Sequence, residues 1–214
     1  MKVKNLVTKS TYVSLTIWPL HPTHKLTSAR HLFESGKILE SNRLLEQLLL
    51  EQDALPEVKC CLLNNTGVIQ QGLGIHYVAF QKYKQALSVA KEHQLGVVLT
   101  VINFNIGYML YLEARWDEAM AYLSDALESG VFGESLQVDT IHELLRDVEA
   151  GRKHTISLLN TYTESNTEDP ELQIARFREV SRIYHASGAY IEAVDQLREA
   201  IAIASATTPN TVPA

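Results

Sequence analysis

Cysteine is nearly missing from this chain of 214 residues, and the two present, Cys60 and Cys61, are neighbours. Adjacent cysteines cannot bridge distant parts of a fold, which excludes a disulfide framework. Long apolar runs are missing too: no stretch approaches the roughly 20 residues a membrane-crossing helix needs. There is no basic excess, since the net charge is −6 with acidic residues spread along the chain. That balance argues against an electrostatic nucleic-acid binder. Proline and glycine, six and ten, are too few for a collagen-like or low-complexity chain. What remains, 46% apolar and 21% charged, is the composition of a globular protein with one or two domains and a sizeable core.

Residues 1–20, "MKVKNLVTKSTYVSLTIWPL", lack the marks of a signal peptide. Lys9 and several Ser and Thr interrupt the apolar part, and no small-residue cleavage site follows. Val13, Leu15 and Ile17 alternate with Ser14 and Thr16, a pattern that predicts a short strand or an extended arm. Cytoplasm is the expected compartment.

Against these absences stands a repeat. Five candidate turns, "ESGKI" at Gly36, "GLGIH" at Gly74, "LEARW" at Ala114, "EAGRK" at Gly151 and "ASGAY" at Gly188, are separated by 38, 40, 37 and 37 residues. Near-equal intervals of this length are the signature of stacked supersecondary units. After the turn, Ala79, Tyr83 and Ala86 recur as Ala119, Leu123 and Ala126, then as Ala193, Leu197 and Ala200. The spacing of i, i+4 and i+7 places each set on one helical face. Seven residues before the turn stand Ala29, Gly67 and Gly107. A mid-helix Gly costs roughly 1 kcal/mol against Ala. Its use in "LNNTGVIQQG" and "FNIGYMLYLE" therefore predicts a packing notch where two helices cross closely.

The segments "NNTGVIQQGLGIHYVAFQKYKQAL", "NIGYMLYLEARWDEAMAYLSDAL" and "VSRIYHASGAYIEAVDQLREAI" resemble the tetratricopeptide repeat (TPR) family, over about residues 22–206. The resemblance implies an all-α, right-handed superhelix, an α-solenoid of about five helix-turn-helix repeats. The expected organisation is an arm at 1–20 and a TPR domain at 21–206. Its repeats fall at about 22–56, 60–94, 100–132, 137–165 and 171–206, and a disordered tail follows at 207–214. The fourth repeat departs most, with Leu144 and Ile156 where the small residues should stand, and there a locally splayed stack is expected.

Catalytic and metal-binding patterns fail one by one. "IHELL" at 141–145 lacks the second His of a zinc-protease helix, because position 146 is Arg. His21, His24 and His31 have no Cys or carboxylate cluster beside them and read as solvated helix-start residues. "GVIQQGLG" lacks the Lys-Ser/Thr ending of a phosphate loop. Cys60 and Cys61 read as buried, inert thiols. Asn64-Asn65-Thr66 fits a glycosylation pattern but lies inside a packed repeat. The expectation is a non-enzyme with no metal and no cofactor.

The asparagines point elsewhere. Thr27, Asn65, Asn105, His142 and Glu179 share one register on the first helices, which in TPR proteins form the concave wall. A side-chain amide carries donors and an acceptor, so it can pair with a peptide backbone of any sequence. Repeated asparagines here resemble the asparagine ladder of several peptide-binding TPR proteins. Polar residues on a solvated face, or local helix–helix hydrogen bonds, are the other reading. Around the ladder, Tyr108 and Tyr111 flank Asn105, Arg30 stands in the first repeat, and Arg178, Arg182 and His185 line the last. The arginines suit a carboxylate fork or pairing with Glu179 or Glu171. The expected function is a protein-interaction module that binds a peptide or partner segment in its concave groove. The alternatives are the peptide-sensing portion of a bacterial-type regulator and an accessory domain of an enzyme complex. Protein partners are expected, and neither nucleic acid nor membrane. The final helix carries "AIAIA", and Ile201 and Ile203 point away from their own repeat. That strip is expected to be covered by a second copy as a homodimer, by the arm, or by a dedicated partner.

Overall fold

The computed structural model describes residues 13–19, 22–51, 54–130, 132, 136–163 and 167–207. The expected tail beyond Thr207 and the arm before Val13 lie outside the described residues. Among the described residues the chain is helical, apart from its turns and an extended segment at 13–19. The helices are α1 (His24–Glu34), α2 (Ile38–Leu49), α3 (Pro56–Gly72), α4 (His76–Glu92), α5 (Gly96–Leu112), α6 (Trp116–Glu128), α7 (Val138–Thr163), α8 (Pro170–Ala186) and α9 (Tyr190–Thr207). None is long and apolar enough to cross a membrane.

The chain forms two compact units, the first of Met1–Leu110 with Glu118–Arg146, the second of Tyr111–Asp117 with Asp147–Ala214. In the first, α1 packs on α2, α2 on α3 and α3 on α4. Local chemistry sets the ends. Thr23 caps α1 by accepting the Leu26 N–H, and Pro56 opens α3, where its missing N–H costs nothing. Left-handed backbone at Gly36 (φ +83°) and Gly74 (φ +76°) reverses the chain between paired helices.

The small residues are the notches expected of them. A Cβ on Gly67 would lie 2.7 Å from the Tyr83 ring, and one on Gly107 would lie 2.6 Å from Leu123 Cγ. Ala79, Tyr83, Ala86, Ala119, Leu123 and Ala126 are fully buried opposite them. Ser41 takes the same place on α2, donating to the Ala29 carbonyl at 2.8 Å.

In the second unit α8 packs on α9. Ser181, seven residues before Gly188, is a notch residue that a search for Gly and Ala passes over; its hydroxyl bonds the Ala193 carbonyl at 2.7 Å. Ala193 and Ala200 are buried, whereas Leu197 is 43% exposed, so the expected face is only partly covered here.

One expected turn is absent. Gly151 lies inside α7, a continuous helix of 26 residues. Leu144 and Ile156 fill both places where small residues would let two arms fold back against each other, so the segment remains one helix. Gly151 has a different partner: a Cβ there would lie 2.7 Å from the Trp116 ring. The Trp116 Nε1 donates to Thr155 Oγ1 at 3.0 Å, and Arg152 pairs with Asp117 at 2.6 Å.

Substituting Gly67 or Gly107 by Ala should destabilise the protein by about 1–3 kcal/mol, because overpacking a ring or a branched side chain outweighs the gain in helix propensity. Ala114→Gly should do the reverse, stabilising by up to about 1 kcal/mol, since Ala114 holds φ +56° in the left-handed region. Urea unfolding of the three variants checks both signs.

Candidate functional site

Helices that face water on one side carry charge there. Residues 60–75 and 96–112 contain none. Every residue from Cys60 to Gln71 on α3, and from Thr100 to Leu110 on α5, is buried. One side of each is covered by the chain's own extended segment, in which Leu15, Thr16 and Trp18 are buried.

The asparagines hold that segment by its backbone. Asn105 Oδ1 accepts the Leu15 N–H at 2.7 Å, and Asn105 Nδ2 donates to the Leu15 carbonyl at 2.8 Å. Two residues along, Asn65 Oδ1 accepts the Ile17 N–H at 2.7 Å and Asn65 Nδ2 donates to its carbonyl, also at 2.7 Å. In an extended chain, residues i and i+2 present their N–H and C=O to the same edge. Each asparagine thus stands where a neighbouring β-strand would offer a peptide group.

Asn64, whose role spacing did not reveal, joins the two. Its Nδ2 donates to the Leu15 carbonyl at 2.9 Å and to Asn65 Oδ1 at 3.2 Å, and its Oδ1 accepts from Asn105 Nδ2 at 2.9 Å. The amide hydrogens of Asn64 and Asn105 are thereby used completely. Beside them, Gln71 Oε1 accepts from Ser14 Oγ at 2.8 Å and from the Tyr83 hydroxyl at 2.9 Å. Burial raises the Tyr83 pKa, which keeps the phenol a donor. Trp18 packs among Leu26, Phe33, Leu45 and Leu62, with its Nε1 donating to Thr16 Oγ1 at 3.1 Å.

The other residues singled out by sequence lie in different settings. Tyr108 is buried and stacked on Phe104, with centroids 6.3 Å apart. Tyr111 is half-buried and meets Trp116 edge-on at 6.1 Å. Arg30 pairs with Glu34 and Arg182 with Glu179, each at 3.0 Å. Arg178 is exposed, as is His185, whose ring contacts Tyr190 at 5.4 Å. Of the five ladder positions, Asn65 and Asn105 hydrogen-bond the described arm residues; Thr27 and His142 are exposed, and Glu179 pairs with Arg182. On α9, Ile201 is 64% exposed and shares a face with exposed Val194 and Leu197, whereas Ile203 is half-buried.

Burial pushes the Cys60 thiol up to about 11 and Cys61 up to about 12, with Glu57 adding to both. Both are protonated at neutral pH and offer no nucleophile. Among the described residues, no group of three or more His, Cys, Asp or Glu is placed to hold a metal ion. His21 lies outside the described residues.

Fold and site together define a helix-pair repeat protein with an extended segment held by side-chain amides. No family model and no curated protein matches the chain. Two similar solved structures are "MamA RS-1 ArsTM double mutant" and "MamA 41-end from Desulfovibrio magneticus RS-1", each 13% identical with a TM-score of 0.48. The first match covers 85% of this chain and 93% of that one; the second covers 86% and 96%. At that identity and score the likeness assigns neither family nor function.

Asn105→Ala should destabilise the protein by about 2–4 kcal/mol. It removes two bonds to Leu15 and leaves its N–H and part of Asn64 without partners in a buried place. Asn105→Asp should cost more, because it replaces the Nδ2 donor by a buried carboxylate facing the Leu15 carbonyl. Denaturant unfolding of both variants checks the order.

Proposed function

We propose that this chain is a non-enzymatic protein-interaction module, with a wall on α3 and α5 that binds an extended peptide segment by its backbone. The observation that carries the reading is the paired grip of Asn105 on Leu15 and Asn65 on Ile17. Side-chain amides spaced to meet every second residue can hold any extended chain, and neighbouring side chains then supply selectivity. The TPR resemblance of the repeats supports the same reading. Tyr108 belongs to the wall's interior in this account. Arg30 and Arg182, each paired with a carboxylate of its own helix, are not part of the wall proposed here.

The test uses the full chain carrying Leu15→Asp, which puts a charge on the arm where an apolar side chain is buried and so unseats it. A labelled peptide with the sequence of residues 13–17, capped at both ends, should bind this variant. N-methylation at the peptide's Leu15 or Ile17 place should weaken binding about tenfold or more, the effect of losing one well-placed hydrogen bond. N-methylation at the Ser14 or Thr16 place should matter less. Absence of binding, or equal effects at all four places, would refute the reading.

A further inference from the structure

The asparagine wall is not open in this chain: residues 13–17 occupy it. We infer that the arm is a tethered placeholder, and that the wall's ligand is an uncharged extended segment with the arm's own alternation of aliphatic and small polar residues, which must displace residues 13–17 to bind. The inference rests on the peptide-binding reading above.

The chemistry of the ligand follows from what each place accepts. Leu15 is 5% exposed, so its place takes an aliphatic side chain of that size. Thr16 is equally covered, and Ser14 donates to a glutamine oxygen already bonded by Tyr83, so the flanking places take small side chains, with a donor at the first. Neither 60–75 nor 96–112 supplies a charge to pair with a charged ligand residue, and burying one unpaired is costly.

Displacement is favoured by the way the arm is held. The backbone bonds of Leu15 and Ile17 run to side-chain amides, so a second extended segment can take over each bond with the same donor and acceptor types. An empty wall would instead leave three buried asparagines without these partners, which is disfavoured. The wall therefore exchanges occupants rather than emptying. Trp18 marks the pivot, because it belongs to the apolar cluster of α1, α2 and α3 and not to the asparagine network. Residues 13–17 can then leave while Trp18 remains, giving up only its Nε1 bond to Thr16. A short tether gives the arm an effective concentration of about millimolar order, so it sets a threshold that a free ligand must exceed.

Fluorescence anisotropy with the labelled 13–17 peptide, on wild type and on the full-length Leu15→Asp chain, tests this. The variant should bind at least about tenfold more tightly, the tether's competition having been removed. Equal affinity for the two chains would overturn the placeholder while leaving the peptide-binding reading intact. No binding to either would overturn both. If Leu15→Asp fails to fold, isotope-labelled wild type supplies the decision through hydrogen exchange. Saturating unlabelled peptide should speed exchange at the protein's own Leu15 and Ile17 amides. Unchanged exchange with peptide demonstrably bound would overturn the placeholder, and unchanged exchange without binding would overturn both readings.

Discussion

A buried peptide group must find a hydrogen-bond partner, and an extended segment cannot supply its own. In this chain that constraint falls on Leu15 and Ile17, and three asparagines on two helices meet it. The remaining features of the first unit follow from holding those amides in place. α3 and α5 carry no charge where the arm covers them, their glycines seat Tyr83 and Leu123, and Tyr83 in turn fixes Gln71 for Ser14. The notches serve the site as well as the packing, because a shift of α3 on α4 would move Asn65 and Gln71 together.

The second unit solves a different packing problem. Residues 147–163, its part of α7, carry a Gly that opens towards Trp116 rather than a turn, and α9 leaves a line of apolar side chains exposed.

Much of this was legible in the sequence. The interval between turns, the small residues at Gly67, Gly107, Ala79 and Ala119, and the extended alternation at 13–17 each predict what the structure contains, since each reflects local geometry. Gly151 misled because a helical Gly and a turn Gly are the same letter; Leu144 and Ile156 carried the information that no hairpin forms there. The partner of the asparagines was not legible, since nothing in local spacing relates Leu15 to Asn105, 90 residues away. One signal did point to it. A wall open to water would carry charge, and the uncharged runs at 60–75 and 96–112 call for a cover. Asn64 was passed over because it falls outside the repeat register, and its role depends on two partners from separate elements.

The central claim is that side-chain amides hold the backbone of the arm. Native-state hydrogen exchange at the amides of Leu15 and Ile17 tests it most directly. The account predicts exchange slower by about a hundredfold or more than in a free peptide of the same sequence, with Asn65→Ala releasing Ile17 before Leu15. Exchange of both amides at the free-peptide rate would contradict it.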